Sequence, residues 1–244
     1  MSKLYSELAR VYHEMYGSIF DYRKEFRFYR RILTTFDCHS VLEIGCGSGR
    51  LASYLMNAGY RYAGLDLSTA LLRIARREHP GTKFVQGDMR NFRFGRRVDA
   101  VLVTGRSFSH LITNEDILDA LKSVREALKD KGILVFDTFR ADKMIGTAGR
   151  RSIQTIRRGD AVFRRLNRTS LNLKTGWTFD WEAEYRIRER GRRERNVIDR
   201  MVLRAFTEDE LRLFLRLAGF EVLDAARAEV YVFVARKTGR QRQR

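Results

Sequence analysis

This 244-residue chain has almost no proline or cysteine, and each scarcity excludes something. Pro80 is the sole proline, so most loops must be shaped by glycine and short polar residues. Cys38 and Cys46 are too few for a disulfide scaffold and fit a reducing compartment. No apolar run approaches the roughly 18 residues that a membrane span needs. The opening MSKLYSELARVYHEMY carries charges throughout and has no apolar centre, which excludes a secretory signal. Internal repeats are absent as well. Hydrophobic residues at 44% and aromatics at 11% supply a sizeable core, so a disordered chain is excluded. The expectation is a soluble, cytoplasmic globular protein with no membrane partner. Acidic residues are in deficit, 30 against 48 Lys+Arg, and the net charge of +18 raises nucleic acid as a partner.

Residues 3–35 read as two helices, with Leu4, Leu8, Val11, Tyr12 and Met15 and then Tyr22, Phe26, Tyr29 and Ile32 at helical spacing, broken at Gly17-Ser18. From residue 40, short apolar strands (40–44, 60–65, 83–86, 98–104 and 132–138) alternate with helices (48–57, 69–78 and 114–129). That alternation predicts a parallel sheet covered on both faces. Between about 150 and 204 the period changes to 2, in 161–172, 177–188 and 195–205. Those segments read as an antiparallel insertion with one polar face. Thr207 and Glu210 then form a capping box ahead of a helix that Gly219 ends. The strands 220–223 and 230–235 follow, joined too closely for a helical crossover, so the last must run antiparallel to its neighbour. The expected class is α/β, a doubly wound seven-stranded Rossmann-like sheet with an antiparallel last strand. Residues 1–149 and 205–238 would form the main domain, 150–204 the β insertion, and 239–244 a flexible basic tail.

The stretch Val41-Leu42-Glu43-Ile44-Gly45-Cys46-Gly47-Ser48-Gly49 carries the chemistry. A strand enters a glycine-rich turn and then a helix, which lets backbone pass close to a ligand. The Gly-x-Gly-x-Gly spacing departs from the dinucleotide fingerprint. Glu43 inside an apolar strand suits a ligand carrying positive charge, such as an ammonium group near the turn. Asp66 ends the second strand, where a carboxylate can accept ribose hydroxyls, and Gly87-Asp88-Met89 ends the third at the same edge. Asp66 and Asp88 could also be simple turn formers.

With these residues in place the chain resembles the class I S-adenosylmethionine-dependent methyltransferases, over about residues 5–145 and the closing helix–strand–strand unit. The resemblance implies S-adenosylmethionine as cofactor and no metal. It places Glu43 near the cofactor's amino end and Gly45, Gly47 and Gly49 under the sulfonium and ribose. Asp66 would hold the ribose, Asp88 the adenine amino group, and Met89 would pack on the ring. Cys46, Leu67 and Thr104 are grouped with these contacts, Cys46 without chemistry of its own.

The acceptor is read from Thr104-Gly105-Arg106-Ser107-Phe108-Ser109-His110-Leu111. Base-specific nucleic-acid amino-methyltransferases carry Asn/Asp-Pro-Pro-Tyr/Phe here, and this chain has no such segment. A nearby cysteine for covalent attack on a pyrimidine is missing too. The segment resembles instead the small-molecule N-methyltransferases, in the glycine/sarcosine and amino-sugar groups. Tyr12-His13-Glu14-Met15-Tyr16, with Tyr22 beyond it, is similar to their Tyr-Asp-x-x-Tyr covering helix, His13 standing where Asp is usual. Tyr12 and Tyr22 would then close over the cofactor. His110 becomes the candidate base or acceptor-orienting group, with Tyr16 as its catalytic companion; the plainer reading of His110 is a backbone-bonded residue. Arg106, Ser107 and Arg200 are candidate substrate contacts, the arginines as partners for a carboxylate or phosphate, and Arg204 a weaker one.

The expected reaction is methyl transfer by in-line displacement to a small-molecule acceptor, an amine nitrogen being favoured over O or S. The alternative is an RNA or protein methyltransferase whose basic insertion holds an anionic partner. Residues 146–244 carry 24 Lys+Arg against 13 Asp+Glu, yet Glu182, Glu184, Glu189 and Glu194 interleave with the arginines, as on a solvated face. The insertion is expected to serve as a lid over the acceptor or as a homodimer contact.

Overall fold

The computed structural model describes residues 2–239. Strands β1 (Ser40–Ile44), β2 (Arg61–Asp66), β3 (Lys83–Gln86), β4 (Val98–Val103) and β5 (Leu128–Phe139) run parallel in the order β5-β4-β1-β2-β3. The near-continuous apolar runs of β1, β4 and β5 are explained by burial on both faces. Val41, Leu42, Ile44, Val101, Leu102, Leu134 and Val135 are all inaccessible to solvent. The closing strands β10 (Phe220–Arg227) and β11 (Val230–Lys237) complete seven strands, with β11 antiparallel to both β5 and β10. Only Ala228 and Glu229 separate them, so the link is a hairpin tighter than the sequence implied.

The helices are α1 (Ala9–Ile19), α2 (Tyr22–Thr35), α3 (Ala52–Asn57), α4 (Thr69–Glu78), α5 (Asn114–Ala127), α6 (Ala141–Thr147) and α7 (Glu208–Leu217). Capping boxes at Thr113/Asp116 and Thr207/Glu210 start α5 and α7, each worth about 1 kcal/mol. No described helix is long and apolar enough to cross a membrane.

Several expected boundaries move for physical reasons. The first helix runs through Gly17-Ser18 and breaks at Phe20-Asp21, where Asp21 accepts from the Lys24 amide and caps α2. The residues ahead of Ala52 form turns rather than helix, because Gly45, Gly47 and Gly49 all hold positive φ. The helix expected to 129 stops at Ala127, and Leu128 already pairs with Val98 at the start of β5. Helix α6 and a fourth strand of the insertion were not legible. The expected tail 239–244 lies outside the described residues except for Gly239; Lys237 is the end of β11, its Nζ donating to the Leu128 carbonyl.

The insertion is a separate antiparallel sheet, β6 (Arg151–Arg158), β7 (Ala161–Leu171), β8 (Trp177–Arg188) and β9 (Arg195–Ala205), in sequential order. Its alternation sorts the faces: Phe163, Ala183, Tyr185 and Ile187 point inward onto Leu4, Leu8, Val11 and Met15 of the N-terminal segment. Each of those large apolar side chains contributes roughly 2 kcal/mol by leaving water. The outer face carries Arg186 against Glu184 and Arg200 against Glu182, pairs exposed to solvent. Buried Arg204 ties this sheet to the main domain through Ile112 O, Asn114 and Glu210.

Candidate active site

The strand order reverses direction between β1 and β4, and crevices outside the carboxyl ends of strands at such a switch bind ligands. Here that crevice is a cavity of about 590 Å³, floored by the ends of β1, β2 and β4 and roofed by the N-terminal segment and the second sheet. Fifteen of the seventeen candidate residues line it: Tyr12, Tyr16, Tyr22, Glu43, Gly45, Cys46, Gly47, Asp66, Leu67, Asp88, Met89, Thr104, Arg106, Ser107 and His110.

Two do not. Gly49 sits behind the turn, where a Cβ would press on His79, Phe84 and Ala75, so its glycine serves packing and a φ of +75°. Arg200 lies on the outer face of β9, its side chain 72% exposed and paired with Glu182. Even-numbered residues of β9 up to 202 face away from the cavity, so a period of 2 excludes Arg200 from it. Arg204 is also spent structurally, buried between Phe206 and Phe214.

On the floor, Glu43 is 3% exposed and its carboxylate bridges neighbouring strands. Oε2 accepts from the Tyr62 hydroxyl at 2.6 Å and Oε1 from the Thr104 hydroxyl at 2.8 Å. Burial raises its pKa to about 7 despite those two hydrogen bonds. The Asp66 carboxylate accepts from the Gly47 amide at 2.7 Å and the Ser68 amide at 2.8 Å, so the second strand's end clasps the glycine turn. A Cβ on Gly45 would fall 2.6 Å from the Ser107 Cβ, so Ser107 is the neighbour that demands glycine there. Asp88 is gripped by the Arg90 fork, with Nε–Oδ1 at 3.0 Å and Nη2–Oδ2 at 2.6 Å, and this holds its carboxyl below the usual range.

On the roof, Tyr12 stacks on Tyr16 with ring centres 4.3 Å apart. His13, at the position where the resemblance has Asp, leaves the cavity alone: its Nδ1 meets the Ser48 hydroxyl at 2.9 Å and fastens α1 to the glycine turn. His110 faces the cavity and reaches the Tyr5 hydroxyl through Nε2 at 3.3 Å. Surrounding protein pushes its pKa down to about 4, so the imidazole is neutral at pH 7.

Tyr5, Glu25, Gln154, Arg165 and Trp181 also line the cavity and were missed in the sequence. Arg165 is the most telling. It is 9% exposed, donates to the Tyr16 hydroxyl at 2.8 Å and to Gln154, and lies over the Tyr16 and Trp181 rings. No carboxylate pairs with it among the described residues, and its Nε has no hydrogen-bond partner. Its parity with inward Phe163 was the available signal.

Residues 41–132 match the family model described as a methyltransferase domain. Over 186 residues the chain is 28% identical to the dTDP-3-amino-3,4,6-trideoxy-alpha-D-glucopyranose N,N-dimethyltransferase of Streptomyces venezuelae, covering 76% of this chain and 77% of that relative. It is 34% identical over 138 residues to an uncharacterized methyltransferase of Oceanobacillus iheyensis, covering 54% of this chain and only 64% of that relative's length. The crystal structure of Streptomyces venezuelae DesVI matches with a TM-score of 0.84 at 25% identity, covering 95% of this chain and 98% of that one. The methyltransferase domain at 41–132 and the fold shared with DesVI support an S-adenosylmethionine-dependent methyltransferase of the class I fold, with S-adenosylmethionine as the cofactor these findings indicate. Within that class its relatives and structural neighbours include amino-sugar N-methyltransferases.

The cavity fits that cofactor. Gly47, at φ +54°, leaves open the gap between turn and roof, where a Cβ would approach the Tyr12 ring at 3.5 Å. The carboxylates of buried Glu43 and half-buried Asp66 at the cavity floor are acceptors of the kind that ammonium and hydroxyl groups require.

Proposed function

We propose that the protein methylates the nitrogen of a small-molecule amine that also carries an anionic group. The roof carries this reading: one cavity holds both the glycine turn and His110, and the N-terminal segment and second sheet cover it. An acceptor of that size is small, which disfavours RNA or protein. The nitrogen follows from the N,N-dimethyltransferase that aligns with three quarters of the chain. The anionic group follows from Arg165, a buried guanidinium facing the cavity without a carboxylate.

In this reading Glu43 receives the cofactor's ammonium, Asp66 and the Gly47 backbone its ribose, and Asp88 with Met89 its adenine. Tyr12 and Tyr22 close over it, with Cys46, Leu67 and Thr104 completing the walls. When bound, S-adenosylmethionine supplies an electrophilic methyl group on a charged sulfur. The roof excludes water and holds the acceptor in line. His110, with a pKa about 4, is a far weaker base than an aliphatic amine. Its neutral ring therefore orients, through Nε2 together with Tyr5, an amine that binds already deprotonated; the S–C bond breaks as the N–C bond forms, and the methylated ammonium gives up its proton after release. Arg106, its guanidinium over the Phe20 ring at 4.8 Å, and Arg165 with Tyr16 hold the anionic end.

The test is labelled methyl transfer to a panel of amino acids, phosphorylated amino sugars, uncharged amino sugars, simple amines, phenols, thiols and total RNA. Anionic amines should be the best acceptors. Phenols, thiols or RNA as sole acceptors would remove the nitrogen assignment, and equal rates on uncharged amines would remove the role of Arg165.

A further inference from the structure

We infer that the amino edge of the large sheet, opposite the methyl-transfer cavity, carries a second site for a small phosphorylated aromatic molecule of the nucleotide type. A cleft of about 560 Å³ opens there, between the starts of β1, β2, β3 and β4. That volume lies in the range of small-molecule sites, roughly 300–1,000 Å³.

Its lining is divided by chemistry. Tyr62 and Phe94 are half-buried aromatics on the apolar floor, and Arg61, Lys83, Arg96 and Arg97 are exposed cations on the rim. A fifth cation, Lys129, is neutralised by Asp99 at 2.7 Å, and Asp99 is also held by Ser40. No carboxylate pairs with the other four among the described residues, in contrast to the insertion, where Arg186 and Arg200 each have one. Lys83 lies over one face of the Phe94 ring at 4.7 Å, which sets a cation directly beside the aromatic floor.

Four unpaired like charges around one cleft repel each other, and a multivalent anion relieves that repulsion. An apolar aromatic floor beneath them favours an anion that carries a ring, because base–aromatic stacking adds to phosphate pairing. The site is independent of the acceptor's identity, since none of its rim residues lines the methyl-transfer cavity.

The experiment uses the full chain saturated with S-adenosylhomocysteine, so that the adenine pocket of the main cavity is filled. ATP, AMP, adenosine and pyrophosphate are titrated by calorimetry. ATP and AMP should bind at one per chain, at least tenfold tighter than adenosine or pyrophosphate. Arg96→Glu with Arg97→Glu should weaken ATP at least tenfold, and Phe94→Ala should weaken AMP but not pyrophosphate. S-adenosylhomocysteine affinity should stay within twofold in each variant, which also verifies folding. Absence of ATP and AMP binding at millimolar concentration would overturn the proposal, as would pyrophosphate binding as tightly as ATP. A single-stranded RNA bound more tightly than ATP, and insensitive to Phe94→Ala, would replace it with a polyanion surface.

Discussion

The floor and the roof of the methyl-transfer cavity are built on different principles. The long-range hydrogen bonds of the floor join neighbouring strands of the sheet or the residues that immediately follow them: Glu43 to Tyr62 and Thr104, Asp66 to the Gly47 amide. The roof is assembled from chain segments far apart in sequence, with Tyr16 meeting Arg165 and Tyr5 meeting His110. A sheet edge fixes its strand-end carboxylates by backbone register alone, whereas a roof depends on side-chain packing between layers. The floor is therefore suited to a constant ligand, the cofactor, and the roof to a variable one.

Substitutions can test that division, beginning where the effect is greatest. Asp66→Ala removes a half-buried acceptor and should weaken S-adenosylhomocysteine about a hundredfold by calorimetry, at roughly 1.5–3 kcal/mol per hydrogen bond to a charged group. Unchanged affinity would mean that the floor does not hold the cofactor. Arg165→Ala should raise the acceptor KM about thirtyfold, as truncating a buried charge contact costs roughly 2 kcal/mol or more. The same variant should leave cofactor affinity alone, and a loss of both would erase the distinction between floor and roof. His110→Ala should lower kcat about tenfold with little effect on cofactor binding, the scale of one lost orienting hydrogen bond at roughly 1–1.5 kcal/mol. Because the His110 ring stays neutral above about pH 4, the wild-type rate should rise with pH through the acceptor's own deprotonation, with no break from His110 between pH 5 and 8.

Glu43 gives a subtler test of the floor. Burial lifts its pKa from 4.5 to about 7, so the folded state holds this proton more tightly than the unfolded chain does. The resulting stabilisation is complete below pH 4.5 and is lost as pH rises through 7. Without cofactor, Glu43→Gln should raise the melting temperature at pH 8 and have little effect at pH 4.5, while weakening S-adenosylhomocysteine. A stability change that does not vary with pH would contradict the buried-carboxylate account. Least of all, Arg200→Ala should leave KM and kcat within twofold, since its partner is Glu182 on the outer face.

Legibility in the sequence follows the same division. Glu43 and Asp66 could be read because a carboxylate at a fixed place in an apolar strand is visible in one dimension. Arg165 could not, because its meaning depends on β7 lying over Tyr16, a contact between residues that local pattern cannot bring together. Arg200 was misassigned because its charge was weighed without its parity along β9, although period 2 was already used to recognise the strand. The capping box at Thr207 and Glu210 was legible for the opposite reason: both partners lie within one helical turn. At position 45 the sequence showed a glycine-rich turn, but the neighbour that requires glycine there, Ser107, comes from the loop after β4.

Buried Asp199, on β9, accepts hydrogen bonds from the Lys3 amide at 2.8 Å and the Leu4 amide at 3.1 Å, and from the Ser2 hydroxyl. This clamp joins residues 2–4 to one nearly two hundred positions later in the chain. A growing chain can pair β1, β2, β3 and β4 long before residue 199 exists, so the floor can form while the roof waits. Closing so long a loop also carries an entropic cost that only the completed second sheet repays. The segment bearing Tyr5 and Tyr12 thus has its full docking surface only once β9 is in place.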